Sequence, residues 1–317
     1  MDITQELIED VAAELGINDP SLVEKDYFVI QALDSLSSYQ SPFFNIIFAG
    51  GTCLSKTFIN LQRMSEDIDL KLVLTDNGKT LQSSVLKTVL SQLKKELSAL
   101  FETAGFKFDE PRAGNGNQFI EYELEYTPIF DIAGALRPFL KIQLIVSELS
   151  GIAENHAITS LVNQVMNQSP EIPNFSCVNV VQTAAEKMVA LLRRTAARLN
   201  GINDWNDDAL IRHIYDLYKI SLHYELGAVF YEVVNSTVIA DGKQYQNKYP
   251  VFVENPAGEI KKALLALQTD AIFKQQYDNF LGPLVYSVDK PSYEEGLATI
   301  IQLAEGIWGS EISNTTQ

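Results

Sequence analysis

The chain has 317 residues and a formal net charge of −17, with 46% hydrophobic and 10% aromatic residues. That is enough chain to bury one large core or two smaller ones, and the composition is that of an ordinary globular protein. The acidity argues against nonspecific DNA binding, which draws on a positive field along the phosphates, and favours a magnesium–nucleotide site or a basic protein partner. No apolar run reaches bilayer-spanning length. The start, MDITQELIED, has neither a basic flank nor an apolar signal core, and the two cysteines, Cys53 and Cys177, form no ligand pattern. The expectation is a cytoplasmic, reduced protein without membrane contact or structural zinc.

Asp2 or Thr4 can cap a first helix whose apolar face is Leu7, Ile8, Val11, Ala12 and Leu15, with Gly16 ending it. Asp19 and Pro20 supply start chemistry for a second helix, on which Glu24, Lys25 and Asp26 read as surface pairing. FFNIIFAGG is a buried strand running into a Gly-Gly turn, TCLSKTFINLQ is helical, and EDIDLKLVL alternates as a strand. A long amphipathic helix is expected from Lys79 to Ala104. FKFDEP, QFIEYELEYTP and PFLKIQLIVSEL read as three further strands, with RAGNGN as a hairpin loop. Beyond Ser150 the pattern is helical, save for a strand at CVNVVQ; helices are expected at Thr183–Leu199, Asp207–Leu222, Gly258–Gln268 and Tyr293–Ile307. The whole reads as an α+β domain, residues 1–172, followed by a helical domain, residues 173–317.

FAGGTCLSKTFINLQRMSEDIDLKL concentrates glycines, a lysine and three acids. GGTCLSKT approaches the phosphate-binding G-x-x-x-x-G-K-[ST] pattern, but Ser55 stands where the second glycine belongs, and the helix pattern leaves no room for a long loop. A better fit is the polymerase-β-like arrangement. There a glycine turn at a helix N-terminus holds a triphosphate with backbone N–H groups, and two acids one residue apart on the next strand bind metal. Asp67 and Asp69 are two apart, so on a strand they share a face, while Ile68 and Leu70, with Glu66, turn to the core. Oxygen ligands of this kind suit magnesium, which keeps positions for nucleotide phosphates.

Five segments in order, LVEKDYFVIQAL, FAGGTCLSKTF, RMSEDIDLKL, AAEKMVALLRR and RHIYDLY, resemble the AbiEii/AbiGii toxin family of nucleotidyltransferases. Its members are the toxin halves of bacterial abortive-infection and toxin–antitoxin systems. The resemblance implies a nucleotidyltransferase fold, a mixed sheet flanked by helices. It further implies that Gly50, Gly51, Thr52 and Ser65 hold phosphates and that Asp67 and Asp69 bind metal, with two Mg2+ expected. Lys187 and Asp216, from the helical domain, would complete the cleft. An NTP substrate, an acceptor hydroxyl on an RNA 3′ end such as tRNA or on a protein, and a cognate antitoxin follow from the same resemblance.

On a helix Lys187, Arg194 and Arg198 fall on one side, which suits a triphosphate or RNA-end site and equally a solvated face paired with acids; Arg193 faces elsewhere. Two positions depart from the family pattern. Gln143, in LKIQL, replaces a third acid, and an amide cannot act as a base. Three alternatives stay open: the third acid is dispensable, Glu123 or Glu148 serves, or the chain is a catalytically degenerate nucleotide- or partner-binding protein. His213 replaces an aspartate and reads as a structural histidine. Lys56 reaches either a phosphate or local carbonyls. His156 and His223 have no companions for metal or nucleophilic chemistry.

Overall fold

The computed structural model describes residues 3–131, 136–202 and 208–309, and the chain divides into two units, one ending at Val178 and the next beginning at Asn179. In the first unit, α1 (Gln5–Glu14) starts on Thr4, whose hydroxyl accepts from Leu7 N at 3.2 Å; Asp2, the other candidate cap, lies outside the described residues. Helix α2 (Pro20–Ser37) starts on Asp19, with proline in its first turn. There follow β1 (Phe44–Ala49), α3 (Gly50–Thr57), β2 (Asp67–Leu74), α4 (Asp76–Lys79), α5 (Ser83–Thr103), β3 (Arg112–Gly114), β4 (Phe119–Glu125), β5 (Phe139–Val146), β6 (Glu154–Ile158), α6 (Leu161–Val165) and β7 (Ile172–Cys177).

The strands form one seven-stranded mixed sheet in the order β3-β4-β5-β2-β1-β7-β6. The β2–β5 and β1–β7 pairs are parallel and the others antiparallel. Its apolar face carries Phe44, Phe48, Ile68, Leu70, Leu72, Ile120, Tyr122, Ile142 and Leu144, packed with residues of α2 and α5. The strict alternation of β2, with Ile68, Leu70 and Leu72 buried, follows from the period-2 geometry of a strand and turns Asp67 and Asp69 to the opposite face.

The second unit is helical among its described residues: α7 (Val180–Leu199), α8 (Arg212–His223), α9 (Ala228–Tyr245), α10 (Pro250–Glu254), α11 (Pro256–Thr269), α12 (Ala271–Leu284) and α13 (Tyr293–Trp308). No described helix is long and apolar enough to cross a membrane.

Several expectations from sequence shift. CVNVVQ is not a strand: the strand ends at Cys177 and Asn179 caps α7, its side chain accepting from Gln182 N at 2.9 Å. FKFDEP supplies only an isolated bridge between Lys107 and Glu125. RAGNGN contains an edge strand, β3, before its turn. The helix expected from Lys79 is two helices, α4 and α5, and the one expected from Asp207 (outside the described residues) begins as a 3-10 turn and becomes α8 at Arg212. Strand β6 and helices α9 and α12 had no clear sequence signal.

Candidate functional site

The Gly-Gly turn leads directly into α3, with Ala49 extended and Gly50 at φ +78°. Ala49 pairs in register with Asp69 of the neighbouring strand, so the first turn of α3 and the Asp69 carboxylate meet. The approach is tight: a Cβ on Gly50 would lie 2.1 Å from Asp69 Oδ2. Only glycine accommodates both the positive φ and this contact. The buried Thr52 hydroxyl donates to the Asp67 carbonyl and lies 2.9 Å from Ser65 Oγ. Gly50, Gly51, Thr52, Ser65, Asp67 and Asp69 are thus brought together by one β-α-β junction. The unpaired N–H groups of a helix start lie beside two carboxylates on one strand face.

Asp67 has a cation of its own. Arg137 Nη1 is 2.6 Å from Asp67 Oδ1 and Nη2 is 3.4 Å from Oδ2. The arginine is anchored from behind: its backbone N–H donates to Glu66 Oε2 at 3.1 Å, and Lys25 Nζ lies 2.5 Å from both that carboxylate and the Arg137 carbonyl. Lys25 is fully buried, and burial pushes its ammonium below the usual lysine range despite Glu66 beside it.

The surface-pairing reading of α2 is therefore corrected. Glu24, Lys25 and Asp26 are all buried. Glu24 accepts the backbone N–H groups of Ile129 and Phe130 at 2.5 and 3.2 Å, and burial raises its carboxyl above the usual range. Asp26 accepts from Leu161 N at 2.7 Å and pairs with Lys56 at 2.5 Å. Lys56 also reaches the Thr159 carbonyl, 3.3 Å away. Three consecutive charged residues thus each tie a different distant segment to one helix. Sequence periodicity misses this, because polar residues on a helix are read as its wet face.

Across the sheet from Asp69, Gln143 occupies the register position on β5, and beyond it Glu121 occupies the position on β4. Gln143 Nε2 donates to Glu121 Oε2 at 2.6 Å. Glu123, one of the acids considered as a replacement, pairs with Arg112 at 2.8 Å, and Glu148 is exposed beyond the end of β5. Glu121 was missed, although the alternating acids of FIEYELE put it on the Asp69 face. Among the described residues no group of three or more His, Cys, Asp or Glu is arranged to hold a metal ion. The two oxygen-bearing residues of β2 still fit magnesium by donor type, on a shared face against a glycine whose Cβ position the Asp69 carboxylate fills.

In the helical unit, Lys187 Nζ lies 2.7 Å from Asp216 Oδ2, and both residues are buried, at 7% and 0% exposure. Arg194 and Arg198 line a concavity with Phe273 and Gln276, the Arg198 guanidinium 5.5 Å from the Phe273 ring. The stripe expected from spacing is therefore two arrangements, a buried ion pair and a partly exposed arginine surface. Arg193 faces elsewhere, pairing with Asp241 under the Tyr245 ring. His213 has its Nδ1 shut away from solvent, and burial, with Lys187 nearby, pushes its pKa well below the ordinary value. His156 stacks edgewise on Phe58. Cys53 and Cys177 are both buried free thiols.

A family model described as the nucleotidyl transferase AbiEii toxin of type IV toxin–antitoxin systems matches residues 31–299. Among solved structures the chain is similar to MenT4, a nucleotidyltransferase toxin from Mycobacterium tuberculosis H37Rv. The TM-score is 0.60 at 18% identity, covering 99% of this chain and 90% of that one, a likeness of fold. No curated protein matches the chain in sequence.

Proposed function

The chain belongs to the AbiEii nucleotidyl transferase toxin family of type IV toxin–antitoxin systems, and on that premise we propose that it transfers a nucleoside monophosphate from a magnesium-bound NTP to an acceptor hydroxyl. The acceptor oxygen forms a bond to the α-phosphorus as its hydroxyl proton passes to solvent, the bond from the α-phosphorus to the bridging β-phosphate oxygen breaks, and pyrophosphate leaves. The acceptor is an RNA 3′ end such as that of tRNA, or a protein side chain, and a cognate antitoxin is the partner. The observation that supports this reading is the close approach of Gly50 and Asp69, which sets a helix start, a kind of site suited to phosphate, beside paired carboxylates.

In this scheme Asp67 and Asp69 hold Mg2+, which when bound polarises the α-phosphoryl group and offsets charge on the leaving pyrophosphate. The backbone N–H groups at Gly50, Gly51 and Thr52 bind phosphate oxygens. The Thr52 hydroxyl is committed to the Asp67 carbonyl, so it fixes the strand's entry, and Ser65 beside it contacts the triphosphate. Lys187, its ammonium held by Asp216 at 2.7 Å, is the residue of the helical unit to which the family resemblance assigns a phosphate contact. A metal held by Asp67 would take the place now filled by the Arg137 guanidinium.

The test is nucleotide binding and transfer by the native protein and by Asp67→Asn plus Asp69→Asn. Magnesium-dependent NTP binding and labelling of RNA or protein should both be lost in the folded double variant. Unchanged affinity would refute the site. Tight binding without any labelling in the native protein would identify a nucleotide-binding protein of the same fold, the reading that Gln143 first raised.

A further inference from the structure

Glu121 has no part in the scheme above, yet its surroundings are specific. It is 6% exposed on the same face as Asp69. Lys141 Nζ lies 3.1 Å from Oε2, and Arg112 Nη1 lies 3.2 Å from Oε1. The carboxylate is thus held between two cations, and a carboxylate accepts hydrogen bonds rather than donating them. Gln143 accordingly meets it with its NH2 group, Nε2 to Oε2 at 2.6 Å. A carboxamide is planar, with nitrogen and oxygen on opposite sides. With Nε2 held by Glu121 on β4, Oε1 is the polar atom the amide has left to offer, and β2 with Asp69 is the strand on the other side of β5.

We propose that the Gln143 amide oxygen, oriented by Glu121, is the third oxygen of the cation-binding set, and that Glu121 is its positioning residue. This rests on the nucleotidyltransferase reading. Amide oxygens are ordinary ligands for hard divalent cations, whereas a flipped amide would present N–H groups and repel one. The set then carries two negative charges, from Asp67 and Asp69, with a neutral third donor. The same contact accounts for glutamine at this position: a glutamate at 143 would press a second carboxylate against Glu121, and like charges at that distance repel.

The test exchanges the two groups. Glu121→Gln, Gln143→Glu and the double exchange are compared with the native protein by the Mg2+ concentration that half-saturates NTP binding, and by thermal unfolding without metal. Glu121→Gln is isosteric and frees the amide to flip. It should raise the half-saturating Mg2+ about tenfold, as loss of a ligand-orienting partner does, while the metal-free unfolding midpoint stays near native. Gln143→Glu alone should weaken Mg2+ dependence as well. The double exchange, which restores a carboxylate–amide pair with an oxygen toward Asp69, should recover to within about twofold of native. Glu121→Gln within about twofold of native, or a double exchange no better than the worse single variant, would overturn the proposal. If Gln143→Glu does not fold, Glu121→Gln decides alone. Native protein that binds no Mg2+·NTP would overturn the proposed function and this inference together. Native binding with an unresponsive Glu121→Gln overturns only the inference.

Discussion

At Gly50 the backbone turns through φ +78° directly beneath the Asp69 carboxylate. Gly50→Ala must therefore accept a left-handed residue and displace the acid. We expect a cost of about 2 kcal/mol or more, seen as a lower unfolding midpoint, together with loss of Mg2+·NTP binding. An alanine variant with native stability and affinity would show that the turn is not constrained. His213 yields a second expectation. Its folded pKa lies well below the ordinary 6.5, held down by burial first and by Lys187 second. Below about pH 6.5 the unfolded chain takes up a proton that the folded one refuses, so stability falls as pH drops through that value toward the folded pKa. The slope approaches about 1.4 kcal/mol per pH unit. Replacing His213 by Asn should flatten the dependence of the unfolding midpoint between pH 5 and 7, and an unchanged slope would assign it to other groups. At this scale the shared face of Asp67 and Asp69 and the glycine turn at Gly50 were legible, because strand alternation and glycine chemistry are local rules. The contacts of Arg137 and Glu121 were not, because they arise only from which segments lie side by side.

Helix α2 is the element whose role the sequence concealed. Its buried Lys25 neutralises Glu66 and holds the Arg137 carbonyl, and through these it fixes the guanidinium on Asp67. Lys25→Met keeps the length of the side chain but takes from the buried Glu66 carboxylate its nearer cation, leaving the Arg137 guanidinium at 3.6 Å. A loss of roughly 3 kcal/mol is expected, measured by denaturant unfolding. The companion substitution Lys25→Met with Glu66→Gln should recover much of it, because the under-compensated charge is gone. Failure to recover would mean that Lys25 acts chiefly through the Arg137 carbonyl. Helices α1 and α2 announced themselves through their caps, and the bodies of α7, α11 and α13 through their helical pattern. The misplaced strand at CVNVVQ shows the limit of periodicity: Val178, Val180 and Val181 read equally as strand or helix, and the Asn179 cap decides between them.

For the whole molecule the charge of −17 bears on partners. Binding to duplex DNA should show neither appreciable affinity nor a steep dependence on salt, since few phosphates can be neutralised. Any RNA affinity should be modest and should weaken when Arg194 and Arg198 are replaced by Gln. A log–log salt slope on duplex comparable to that of dedicated DNA-binding proteins would contradict this. The α+β class and the helical second half were readable from composition and pattern, whereas the order of strands was not, because no local signal says that the last strand made in the first unit inserts beside the first.

That insertion has a kinetic consequence. Strand β1 has β2 on one side and β7 on the other, and β6 lies outside β7. During synthesis β1 stays a bare edge, bearing Phe44, Ile46 and Phe48, until residues 172–177 have emerged. Sheets closed by pairings so distant in sequence form slowly, and an exposed apolar edge invites pairing between chains. A fragment ending before Ile172 should therefore aggregate on release, while one ending at Val178 should stay monomeric. Light scattering on the two decides it, and equal solubility would mean that α2 or another neighbour already shields the edge.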